Sequence, residues 1–171
     1  DYILFYGESP DIWIYENDEF LHKKNLYSDI TYYFLCFDLG LGKRIENLSA
    51  ESDVFNDAVS TYDAYFFHEE DVLNLVNTGR QWFGENFSFE TTQSFNMPML
   101  SWTTDTVLFT TRVAARSSVG SSFSITQGLT SIGTISIANT SSSGDYYKSN
   151  LLKTEFLLNP LYQNIIFNYN N

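Results

Sequence analysis

Basic charge, cysteine and proline are all scarce in this chain of 171 residues. Nine Lys and Arg stand against twenty-one Asp and Glu, a formal net charge of -12 at pH 7. Such a surface repels phosphate backbones, so nucleic acid is excluded as a natural partner. Cys36 is the single cysteine, which rules out a disulfide within the chain and any zinc site built on two or more cysteines. Lying mid-segment between aromatics, Cys36 is expected to be a buried, inert thiol. Only three prolines occur, and no run approaches the roughly 18 to 20 apolar residues that a membrane helix needs.

Aromatic residues are abundant instead, with fifteen Phe, twelve Tyr and three Trp, 18% of the sequence. Together with loops of Ser, Thr and Asn, this composition favours strands over helices. The expected fold is therefore mainly β. A C-terminal β-sandwich over 89–171, jelly-roll or immunoglobulin-like, packs against an N-terminal β-rich segment over 1–88 with at most short helices. The two parts are expected to form one compact unit. Opening on Asp1 with neither a Met nor a signal-peptide pattern, and ending in a strand-like row, the chain reads as a piece of a longer protein.

In the N-terminal part, the apolar runs Tyr2–Tyr6 and Thr31–Phe37 predict strands buried on both faces. Ile12–Tyr15 predicts a strand that turns at the polar tip Glu16–Glu19, and Tyr62–Phe67 a further aromatic strand. Leu48–Val59 is either a short helix or irregular. Beyond Gly79 strict alternation takes over. Val107, Phe109, Thr111, Val113 and Ala115 share one face, with Arg112 and Arg116 on the other. Phe123 with Ile125, Ile135 with Ile137, Leu152 through Leu158, and Ile165 with Phe167 and Tyr169 continue the inward rows. Ile132 is out of phase beside Gly133, which predicts a bulge. Turns are expected at 117–122, 127–128 and 138–144.

Catalytic motifs fail on spacing. His68-Glu69 opens like a zinc-peptidase helix, but Val72 stands where the second His must be. Gly40-Leu41-Gly42-Lys43 lacks the phosphate-loop spacing and is followed by Arg44. Nothing places His22 or His68 beside Cys36, as a thiolate nucleophile requires. Carboxylates cluster at Glu16, Asp18 and Glu19, at Asp53 and Asp57, and at Glu69, Glu70 and Asp71. A hydrolase using such a pair ranks third among the readings, since an acidic surface brings carboxylates together by chance. No cofactor is expected, and Asn139, Ser141 and Asp145 would be the ligands of a structural calcium if one is held in a sandwich loop.

The most distinctive segment is Thr78-Gly79-Arg80-Gln81-Trp82-Phe83-Gly84-Glu85-Asn86-Phe87, two glycines around an aromatic pair flanked by charges of opposite sign. Arg80, Trp82, Phe83 and Glu85 are its candidate interaction or domain-junction residues. Such a turn either plugs the junction between the two parts or presents a recognition hot spot.

Three segments in order, FYGESPDIW (Phe5–Trp13), YSDITYYFL (Tyr27–Leu35) and GRQWFGENF (Gly79–Phe87), carry a family resemblance. They resemble the region ahead of the peptidase domain in the PorU family, the sortase-like, gingipain-type cysteine peptidases of the bacterial type IX secretion system. The likeness spans most of the first ninety residues and fits the later sandwich more loosely. Thr78 and Gln81 depart from the Ser and Glu expected there. The resemblance implies that the catalytic Cys and His lie in a downstream domain, so that this chain is no enzyme by itself. It also implies an exported, outer-membrane-associated parent at the cell surface that removes secretion signals from cargo and passes the cargo to a lipopolysaccharide anchor. The chain would be its accessory scaffold or cargo-docking module, with the rest of the peptidase and cargo signal domains as partners. The alternative is a glycan-binding β-sandwich of an exported bacterial protein, with surface polysaccharide as partner, suggested by the wealth of Tyr and Trp.

Overall fold

The computed structural model describes residues 4–37, 39–42, 46–47, 49, 57–77, 79, 81–97, 103, 105–141 and 146–171. Every regular element among them is a strand, and all ladders are antiparallel. The fold is mainly β. The chain divides into two units, Asp1–Phe67 and His68–Asn171, which places residues 68–88 with the second unit.

In the first unit, β1 (Ile12–Glu16) and β2 (Glu19–Lys23) form a hairpin. Asn17 and Asp18 make its two-residue turn at φ 53° and 61°. Left-handed geometry at both positions matches the twist of the strands, and Asn and Asp tolerate it. One face of the hairpin collects rings. Trp13 lies 4.3 Å from Tyr65 and 4.8 Å from His22, and Phe20 lies 4.9 Å from Tyr65.

Three expected strands of this unit are absent. Leu4–Tyr6 and Thr31–Phe37 are irregular and exposed, and Tyr62–Phe67 packs rings on the hairpin without joining a ladder. Tyr2 and Ile3 lie outside the described residues, as do Leu48, Ala50 and 51–56 from the region expected to be helical or irregular. Aromatic β-propensity is an ability to fit a pleated, half-buried surface, and it is realised only where a neighbouring strand supplies backbone pairing. Tyr33 is instead tied to the backbone of Glu8, whose N–H donates to the Tyr33 hydroxyl while that hydroxyl donates to the Glu8 carbonyl at 3.0 Å. Cys36 is exposed, contrary to the buried thiol expected, because the strand that would have buried it does not form.

The second unit holds β3 (Thr92–Asn96), β4 (Thr106–Ala115), β5 (Ser121–Gln127), β6 (Thr130–Ile137), β7 (Lys148–Leu157) and β8 (Asn164–Asn170). They make a four-stranded sheet, β3-β8-β5-β6, and a two-stranded sheet, β4-β7. The alternating rows fall inward as expected. Val113, Ala115, Phe123, Ile125, Ile135, Ile137, Phe156, Leu158, Ile165 and Phe167 are buried in one core. The two sheets meet there, with the Phe109 ring of β4 centred 6.4 Å from Phe167 of β8.

The bulge is present as well. Ile125 pairs with Gly133 and Thr126 with Ser131, so Ile132 is the extra residue, and its side chain turns into the core at 8% exposure. β5 begins at Ser121, inside the turn expected over 117–122, because Ser121 and Ser122 pair with Ile137 and Ser136.

At the other end of β5, Gly128 adopts φ +57°, and a Cβ there would lie 2.5 Å from the Tyr162 ring. Only glycine satisfies both conditions. Next to it Gln127 is fully buried, and its side-chain amide binds the turn between β7 and β8. The amide nitrogen donates to the carbonyls of Asn159 (3.2 Å) and Tyr162 (2.8 Å), and the amide oxygen accepts from Asn159 N–H (3.0 Å).

Candidate functional site

The Trp82 segment precedes β3 and is closed by one isolated antiparallel bridge, Leu73 to Phe83. Leu73 N–H donates to Phe83 O at 2.7 Å, Phe83 N–H to Leu73 O at 2.8 Å, and Val72 N–H to Phe83 O at 3.0 Å. Within the loop thus pinched off, Asn77 and Gly79 turn the chain with φ 53° and 72°.

Residues 81 to 83 then alternate as an extended chain does. Gln81 and Phe83 are half-buried on Tyr147, which lies just before β7. The Phe83 ring meets the Tyr147 ring edge-on at 5.3 Å, and the Tyr147 hydroxyl donates to Gln81 Oε1 at 2.5 Å. Trp82, between them, is 45% exposed.

The segment is anchored on its far side too. Gly84 lies so close to the backbone of Glu70 that a Cβ would sit 3.3 Å from the Glu70 carbonyl oxygen. Glu85 Oε1 lies 2.7 Å from His68 Nε2, and the His68 ring stands edge-on to Phe95 of β3 at 5.1 Å. Of the four candidate residues, Phe83 and Glu85 are thus bracing residues and Trp82 is the presented one. Arg80 lies outside the described residues, as does Thr78. Tyr147 and His68, which hold the loop, were not among the expected site residues. Tyr147 is remote in sequence, and His68 was weighed only as a metal or catalytic residue.

Each of the chain's two histidines faces a carboxylate rather than a nucleophile, His22 Nε2 standing 3.8 Å from Asp11 Oδ2. Among the described residues no group of three or more His, Cys, Asp or Glu is placed to hold a metal. Of the calcium candidates, Asn139 and Ser141 are exposed, and Asp145 lies outside the described residues. Gly40 and Gly42 lie in an irregular exposed stretch, while Lys43 and Arg44 lie outside the described residues. The carboxylates Glu16, Asp18, Glu69, Glu70 and Asp71 are exposed, and Asp53 is not described. Among the described residues no helix is long and apolar enough to cross a membrane. No protein-family model, curated protein or solved structure matches this chain.

Proposed function

We propose that this chain is a non-catalytic docking module whose Trp82 loop engages a protein partner. The observation that carries this reading is the exposure of Trp82 between two neighbours that are both held on Tyr147. A large aromatic side chain presented on a braced loop loses little conformational freedom on binding, and Trp is among the residues that dominate interface energetics. In the setting implied by the family resemblance, the parent protein is a surface peptidase of type IX secretion, and the partner is the secretion-signal domain of its cargo.

The test is calorimetric titration of the protein with purified secretion-signal domains, using Trp82→Ala as the control. The expected result is saturable binding that weakens roughly thirty-fold or more in the variant, about 2 kcal/mol in the hot-spot range, with an unchanged melting temperature. Absence of binding to any signal domain, or binding indifferent to Trp82, would refute docking through this loop and leave a scaffold role.

A further inference from the structure

The two sheets of the second unit differ in what they carry on their outer faces. On the β4–β7 pair, the outward register sets Arg112 against Leu151, Thr110 against Lys153 and Leu108 against Glu155, a mixture of charge and exposed leucine. On the four-stranded sheet the outward positions of β5 are Ser122, Ser124 and Thr126. They stand beside Ser136 and Thr134 of β6 on one side and Asn170, Asn168 and Ile166 of β8 on the other. Further out, Asn168 pairs with Thr92 of β3, whose hydroxyl donates to the Asn168 side-chain oxygen at 2.8 Å, and Ile166 pairs with Ser94.

Apart from Ile166, every one of these positions is Ser, Thr or Asn. None is charged, in a chain that carries twenty-one acidic and nine basic residues. Exposed sheet surface is commonly kept soluble and single by charge, and this face does without it.

A cleft of about 660 Å³ opens at one end of the same face, lined by Gly120, Ser121, Ser122, Ser136, Asn170 and Asn171 among others. Its size falls within the ~300–1,000 Å³ usual for small-ligand sites. Ser121 is only 7% exposed, and its hydroxyl has no hydrogen-bond partner among the described residues. A buried hydroxyl left without a partner is costly, so its presence beside a cleft is itself a sign of a ligand group that satisfies it.

From these two observations we infer that the Ser122–Ser136–Asn170 end of the four-stranded sheet binds a neutral glycan. Hydroxyl and carboxamide groups each donate and accept, as sugar hydroxyls do. Strands about 4.8 Å apart repeat such groups at regular intervals across the face, which suits an extended chain of sugar rings. The uncharged lining supplies no counter-charge for an ionic ligand, and the net charge of -12 opposes anionic polysaccharides. This inference does not rest on docking through Trp82, since no residue of that loop lines the cleft.

Saturation-transfer NMR and calorimetry with neutral hexasaccharides (maltohexaose, cellohexaose and mannohexaose), and with polygalacturonate as the charged control, test it on the whole protein. With no aromatic ring on the face to stack on sugar, a Kd on the order of 1 mM is expected for at least one neutral probe. Ser122→Asp and Ser136→Asp, which place charge at exposed or half-exposed positions, should each weaken binding about ten-fold or more. Ser121→Ala, which removes the orphan hydroxyl, should weaken it about three-fold or more. Trp82→Ala and Arg112→Ala should leave it unchanged. Circular dichroism establishes that each variant is folded.

The inference is overturned if no neutral probe binds saturably, if polygalacturonate binds as well as the neutral probes, or if binding ignores the face substitutions. It is also overturned if those substitutions change the sedimentation coefficient of the free protein, since the face would then be a contact between copies. Failure of Trp82 docking leaves the glycan result untouched, and the reverse holds.

Discussion

Gln127→Ala is the substitution whose cost can be worked out most directly. The side chain is fully buried and makes three hydrogen bonds, all to backbone groups of the turn between β7 and β8. Each bond contributes about 1 kcal/mol net, so their loss removes roughly 3 kcal/mol. The abandoned Asn159 N–H and the Asn159 and Tyr162 carbonyls add a further desolvation cost wherever water cannot enter, which brings the total to about 3 to 5 kcal/mol. In a domain of roughly 100 residues each kcal/mol shifts Tm by about 4–8 °C, so a loss above about 12 °C is expected. Urea denaturation followed by circular dichroism measures the free energy directly. Gln127→Met separates the polar from the packing contribution, because it keeps most of the volume and removes every hydrogen bond. It should cost nearly as much as Ala. A cost below about 1 kcal/mol for Gln127→Ala, the value of an ordinary surface position, would refute the assignment of Gln127 as the clasp of this turn. A Met variant as stable as the parent would show that filling space, not hydrogen bonding, is what matters there.

Two further outcomes are expected from the first unit. The Tyr15 hydroxyl donates to Asp18 Oδ1 at 3.2 Å, and this hydrogen bond, followed by the carboxylate's charge, raises its pKa above the ordinary 10.0. A pKa raised by folding contributes stability below the unfolded value and loses it as pH rises through the folded one, so the effect is confined to alkaline solution. NMR of ring-labelled tyrosine should therefore show Tyr15 titrating at higher pH in the parent than in Asp18→Gly, which keeps a residue tolerant of the left-handed turn. Coincident titrations would refute the pairing. The exposed Cys36 thiol should react with Ellman's reagent in native protein at a rate similar to that in urea. A native thiol protected a hundred-fold or more would contradict its exposure.

Much of the second unit can be read directly along the chain. The rows Val107–Ala115, Phe123–Ile125, Ile135–Ile137, Leu152–Leu158 and Ile165–Tyr169 face inward as their alternation requires, and Ile132 breaks phase where the bulge lies. Period-two patterning is local information, because each residue's face follows from its neighbour's. The same holds for the Asn17-Asp18 turn, whose chemistry fits its geometry.

Thr31–Phe37 shows where local information ends. Its aromatic and β-branched residues have strand propensity, yet a strand exists only with a pairing partner, and pairing is not encoded within the segment. The same limit applies to the site. GRQWFGENF was recognisable as unusual, but only the folded chain brings Tyr147 against Gln81 and Phe83 and sets His68 on Glu85, so that Trp82 is the residue left outside. Gln127 read as a turn residue and is a buried clasp. The uncharged outer face of the four-stranded sheet is likewise invisible in one dimension, since its members come from β3, β5, β6 and β8 and meet only through strand order and register. Composition and alternation determined by themselves that this protein is built of strands around an apolar core. Which strands pair, and which side chains therefore remain outside, was decided by contacts between residues far apart in the chain, and only the tertiary structure supplies those.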